Sequence, residues 1–104
     1  MKKDFIMRGK SEIDNLFEKG KYLSDGFVLI KFLDSDSTKF LFAVSSKKFK
    51  RAVDRNKIKR YMKESVKGSI VSNKNIAIIY IGSGIPELSN IKESITKLLN
   101  KIWS

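Results

Sequence analysis

Polar and apolar positions along the chain change their period several times, and the changes divide it into elements. Ser11-Glu12-Ile13-Asp14 opens a helix, with Ser11 as N-cap and Asp14 at the third helical position. Ile13, Leu16 and Phe17 share one face of that helix, and Gly20 closes it. Residues 26–33 alternate with the period of a strand: Phe27, Leu29 and Lys31 face one way, Val28, Ile30 and Phe32 the other. Asp34-Ser35-Asp36-Ser37 is turn chemistry, and no third carboxylate follows at the spacing of a metal loop. Residues 39–45 supply a second strand, expected to pair with the first as a hairpin. A helix is predicted over residues 52–67. Residues 75–81, Asn-Ile-Ala-Ile-Ile-Tyr-Ile, predict a central strand buried on both faces. Ser83-Gly84-Ile85-Pro86 breaks the chain, and a last helix from near Ser89 carries Ile91, Ile95, Leu98, Leu99 and Ile102 on one stripe, with Trp103 packing its end. The order helix–strand–strand–helix–strand–helix predicts one α+β domain over residues 1–104, a sandwich with a small, mostly antiparallel sheet.

Composition narrows what such a domain does. With 22 Lys+Arg against 11 Asp+Glu, the net charge is +11, which points to a polyanionic partner. The chain has no Cys and no His, so thiol nucleophiles, imidazole acid–base catalysis and Cys/His zinc sites are excluded. No apolar run approaches the roughly 20 residues that span a bilayer, and a cytoplasmic protein without a membrane role is expected.

The charge is localised. Residues 47–67 hold ten basic residues and two acidic ones, a net of +8, whereas the other 83 residues carry only +3. Eighteen basic residues of the chain are Lys and four are Arg, yet three of those four (Arg51, Arg55 and Arg60) fall in this segment. On a helical projection, Ile58, Tyr61, Met62, Ser65 and Ser69 form the core-facing stripe. Arg55, Asn56, Lys59, Arg60, Lys63 and Lys67 fill the adjacent arc, with Val66 as its one apolar member. A solvated helix face mixes signs, and this one is nearly free of acid. Lys47 and Lys48, with Lys50 and Arg51, extend the patch ahead of the helix. Such a ridge suits the phosphates of a folded nucleic acid, and Asn56 adds a donor and an acceptor for sugar or base edges. A cationic membrane-surface helix fits less well, because its thin apolar face is needed for the core.

Ser46-Lys47-Lys48-Phe49, then Ala52-Val53-Asp54-Arg55-Asn56-Lys57-Ile58-Lys59-Arg60, then Lys63-Glu64, resembles the signature of the bacterial ribonuclease P protein subunit, gap-free over 19 residues. Chain length, element order and the Phe17-to-Gly20 close of the first helix agree with that family. Lys57 and Lys63 stand where the family usually has Arg, keeping the charge and losing the planar fork. Lys50-Arg51 replaces a usual Gly followed by Asn or Lys, and Phe42 stands where Gly is common.

The resemblance implies a ribonuclease P protein-like fold with a left-handed β-α-β crossover, and a protein that partners a large catalytic RNA. Together they hydrolyse the phosphodiester joining the 5′ leader of precursor tRNA to the mature tRNA. Mg²⁺ held mainly by the RNA activates the water; the protein, expected to be monomeric, supplies no catalytic residue. Carried over, the RNA-contacting set is Lys47, Lys48, Lys50, Arg51, Arg55, Asn56, Lys57, Lys59, Arg60 and Lys63. A cleft for the single-stranded leader would use Ile13 and Phe17 from the first helix and Ile30 and Lys31 from the first strand, with Ile at two positions often aromatic in the family. Two alternatives stay open on the residues alone: a ribosomal or general RNA-binding protein without a role in cleavage, and a nuclease using its own carboxylates with Mg²⁺, for which no clustered acidic triad is visible.

Overall fold

The structure, a computed structural model, describes residues 10–36, 38–66 and 73–102. Seven elements follow one another: α1 (Lys10–Lys19), β1 (Lys21–Ser24), β2 (Val28–Asp34), β3 (Lys39–Val44), α2 (Ala52–Val66), β4 (Lys74–Tyr80) and α3 (Leu88–Ile102). Lys67 and Ser69, which the helical projection assigned to a basic arc and a core stripe, and Trp103 lie outside the described residues. Helix α1 already includes Ser11, so Ser11 is a first-turn residue rather than the cap.

The four strands form one sheet in the order β1-β2-β4-β3, with β1–β2 and β2–β4 antiparallel and β3–β4 parallel. This corrects the expected hairpin: β2 and β3 run in opposite directions but do not pair, because β4 is inserted between them. The geometry allows it. Strands two places apart are about 9.6 Å apart, a gap that the four residues between Asp34 and Lys39 span with ease. That connection straddles the entry to β4: Ser35 N donates to the Asn73 carbonyl at 2.9 Å, and Asn73 N donates to the Thr38 hydroxyl at 2.9 Å. Asn73 takes a left-handed backbone, φ 58°, which Asn tolerates better than most side chains. Lys74 of β4 pairs with Asp34 at the end of β2. β3, α2 and β4 therefore make a β-α-β unit, and β4 is the central strand that its apolar run predicted.

A strand in that position needs apolar groups on both faces. Ile76 and Ile78 point into the larger core with Val28, Ile30, Phe40 and Phe42 of the neighbouring strands, covered by Ile58, Met62 and Val66 of α2 and by Ile91, Ile95, Leu98 and Leu99 of α3. Ala77 points the other way, against the wholly buried Leu16 of α1, with Ile13, Leu33 and Leu41 around it. The result is three layers, with α1 on the outer side of the sheet and α2 and α3 on the inner side. Val66 belongs to the core and not to the basic arc, because α3 as well as the sheet covers α2 and widens its buried stripe.

The end of α1 is set tightly against the sheet. β1, which the sequence pattern does not predict, starts directly after Gly20 and pairs along β2. Gly20 N donates to the Leu16 carbonyl at 2.8 Å, ending α1 at the sheet surface. A Cβ at Gly20 would crowd that same carbonyl and lie 3.0 Å from the Phe32 carbonyl, so glycine is required there by close approach.

Candidate nucleic-acid interface

Ile58, Met62, Ser65 and Val66 are the buried positions of α2, spaced at four, three and one residues, and they fix which side of the helix faces out. Asn56, Lys57, Arg60 and Lys63 are exposed on that side, and Lys59 is half-buried at its margin. Tyr61 lies half-buried between two cations: Lys57 Nζ and the Arg60 guanidinium carbon are each 5.9 Å from its ring centroid. Val53, in the first turn, is 68% exposed among these charges. Ser65 Oγ donates to the Tyr61 carbonyl at 2.7 Å, so its hydroxyl is satisfied within the helix.

Arg55 departs from the row. Its Nη1 donates to the Phe49 carbonyl at 2.8 Å and to the Lys50 carbonyl at 2.9 Å, and the side chain is half-buried. Sequence places Arg55 among the RNA contacts; in the structure its guanidinium clamps the loop before α2. The other half of that loop is a serine turn, in which Lys47 N and Lys48 N donate to Ser45 Oγ at 3.2 and 3.4 Å. Phe49 N donates to the Ser45 carbonyl at 3.0 Å, and the buried Phe49 ring meets Tyr80 at 5.8 Å between centroids. Lys47, Lys48, Lys50 and Arg51 are thereby presented in solvent from a fixed loop. Lys48 Nζ reaches back to the Ile81 carbonyl at 3.1 Å, so its charge sits at the end of the sheet.

The second candidate region lies on the outer side of the sheet, beside α1. Phe17 and Lys31 come together there: Lys31 Nζ lies 5.0 Å from the Phe17 ring centroid and donates to the Phe17 carbonyl at 3.3 Å. Phe17 is 37% exposed, which leaves ring surface available. Ile13 is half-buried and packs towards Leu16 and Ala77. Ile30 does not take part. It is wholly buried in the inner core, and its neighbour Lys31 faces outward, because successive residues of a strand point to opposite faces. The outer face is floored instead by Leu29 and Ile79, adjacent in register and both half-buried. A residue that sequence reasoning misses stands beside them: Tyr22 of β1, opposite Lys31 in the strand register. Its strand is only four residues long and has no apolar alternation, so the β-forming preference of Tyr itself is the one available signal.

Among the described residues, no group of three or more Asp, Glu, His or Cys could hold a metal ion, and no helix is long and apolar enough to cross a membrane. The exposed side chains of α2 and of the loop ahead of it concentrate positive charge, which attracts an anion.

The family model described as Ribonuclease P matches residues 1–103. The chain is 33% identical over 106 residues to the ribonuclease P protein component of Acholeplasma laidlawii, covering 97% of this chain and 91% of that relative. It is 28% identical over 109 residues to the component from Exiguobacterium sp., covering 99% and 96%. In fold it is similar to the RNase P protein of Staphylococcus aureus, with TM-score 0.83 and 22% identity over 94% of each chain. The RNase P protein of Thermotoga maritima superposes with TM-score 0.81 and 23% identity, over 92% of this chain and 96% of that one. The full-length family match, the one-third identity to a curated relative and the shared three-layer fold agree, and the chain belongs to the ribonuclease P protein family.

Proposed function

We propose that the outward face of α2, with the loop ahead of it, seats the catalytic RNA of ribonuclease P, and that the outer face of the sheet beside α1 receives the unpaired 5′ leader of precursor tRNA. The protein is the protein component of a ribonucleoprotein that removes that leader by hydrolysis of one phosphodiester bond. The observation that carries the division of labour is the layering: Asn56, Lys57, Arg60 and Lys63 project from the inner-layer helix, while Phe17 and Lys31 meet on the opposite side of the sheet. Two polyanion segments can therefore be held at once without competing for one surface.

On this reading the chain contributes binding free energy and no reacting group. Mg²⁺ held by the RNA would supply the activation of water and the stabilisation of the leaving oxygen, with no ligand required from this chain. Exposed Lys and Arg neutralise phosphates of the RNA, and the exposed amide of Asn56 offers hydrogen bonds to sugar or base edges. One copy of the chain serves each particle, in the cytoplasm, where precursor tRNA is made. The test is precursor-tRNA cleavage by the catalytic RNA at low Mg²⁺, with and without the protein. Stimulation by the protein is expected. Binding of RNA without stimulation would instead identify a general RNA-binding protein, and cleavage by the protein alone would identify a nuclease.

A further inference from the structure

We propose that Tyr22, on the edge strand β1, is a base-stacking platform that works with Phe17 and Lys31 to hold an unpaired nucleotide of the leader; this rests on the outer face of the sheet being the leader site. Three observations converge. Tyr22 and Lys31 are directly opposite in the β1–β2 register, so their side chains leave the same face of the sheet, with Cβ atoms about 5 Å apart. Lys31 itself is fixed over the Phe17 ring, 5.0 Å from Nζ to centroid, with the Phe17 carbonyl as acceptor. Tyr22 is 65% exposed, so its ring does little for the core and presents its surface to solvent. The ammonium group over the Phe17 ring thus belongs to a lysine whose strand partner, on the same face, is a second solvent-accessible aromatic.

That combination selects the ligand class. A single-stranded nucleotide carries a flat base and an adjacent phosphate, and it matches an aromatic face next to a lysine. Paired bases are stacked on one another and cannot lie on these rings, so a duplex fits poorly. An apolar protein segment would bury the Lys31 ammonium without a counter-charge. The two other side chains expected in a leader cleft offer no flat face: Ile13, on α1, is aliphatic and half-buried against Ala77, and Ile30 is in the inner core. Tyr22 supplies from β1 a ring that neither position provides.

The experiment uses the particle reconstituted from the protein and its catalytic RNA, and measures binding of precursor tRNA with a long unpaired leader against precursor trimmed to a single leader nucleotide. Tyr22→Ala should weaken binding of the long-leader substrate by roughly 5- to 150-fold, the range of one lost base–aromatic stack. Tyr22→Phe should keep the parent's affinity, because stacking needs the ring and not the hydroxyl. Both variants should bind the trimmed precursor and the catalytic RNA as the parent does. Full affinity of Tyr22→Ala for the long leader, in a particle whose parent still prefers it, overturns the assignment of Tyr22 alone. An equal loss on both substrates also overturns it, because that is the mark of a structural role. A parent that does not distinguish the two leaders removes the leader reading of the whole outer face.

Discussion

Arg55 and Phe49 are joined by a hydrogen bond of 2.8 Å from the guanidinium to the main-chain carbonyl, and the Phe49 ring is buried against Tyr80. The arginine therefore ties the first turn of α2 to a loop anchored in the core. Arg55→Ala removes a charged donor from two carbonyls, at a cost of about 1–3 kcal/mol in folding stability. Arg60 is exposed, with its guanidinium carbon 5.9 Å from the Tyr61 ring centroid, so Arg60→Ala should change stability by no more than about 0.5 kcal/mol. Urea unfolding of the two variants checks this. Equal midpoints would mean that the loop clamp contributes nothing.

The same pair separates under salt. Affinity for the catalytic RNA should fall linearly in log–log form, with a slope of several units if about six or more phosphates are neutralised. Arg60→Ala and Lys63→Ala should each reduce that slope by about one unit. Arg55→Ala should weaken binding with little change in slope, because its guanidinium is committed to the Phe49 and Lys50 carbonyls. A slope near zero for the parent would show that the basic face of α2 is only solvated.

What the sequence disclosed and what it hid reflect the range of the interactions. Strand β4 was legible because Ile76, Ala77 and Ile78 are apolar on both faces, a local pattern that only a central strand satisfies. Its place between β2 and β3 was not, since Asp34-Ser35-Asp36-Ser37 encodes a reversal of direction and says nothing about which strand fills the gap. The basic row on α2 was legible as charge, whereas the role of Arg55 depends on main-chain acceptors that a sequence does not display. Ile30 is the opposite case: its alternation with Lys31 already separates the two faces, and the carry-over from the family placed both residues in one cleft. The pleat decides in favour of the core.

Asp25 gives a pH dependence with a definite sign. Burial works against its charged form, but the Phe27 and Val28 amides, at 2.8 and 3.0 Å from Oδ1, outweigh it together with the Ser94 hydroxyl and the Lys97 charge. The folded pKa thus lies below the unfolded value of about 3.9. Stability from this group is present above the unfolded value and is lost as pH falls through the folded one. Asp25→Asn should lower stability at neutral pH and flatten the acid limb, measured as urea midpoints from about pH 6 down to about pH 2.5. A variant curve running parallel to the parent's at all pH values would refute the stabilisation of the Asp25 carboxylate by these partners.

Gly20 links the fold to the leader face. It ends α1 one residue before β1, with its amide on the Leu16 carbonyl at 2.8 Å and the Phe32 carbonyl close by. A methyl group there meets main-chain atoms on both sides, and neither can rotate away as a flexible side chain would. Gly20→Ala must therefore lift the last turn of α1 from the sheet, loosening the wholly buried Leu16 and costing about 1–3 kcal/mol. Phe17 follows Leu16 directly, so the same displacement alters its alignment with Lys31, fixed at 5.0 Å in the parent. Binding of long-leader precursor should fall, while affinity for the catalytic RNA stays near the parent's, because α2 packs in the other layer. Comparing the two affinities for Gly20→Ala under conditions where it remains folded tests this. Loss of RNA affinity with leader preference intact would place the leader contact away from α1.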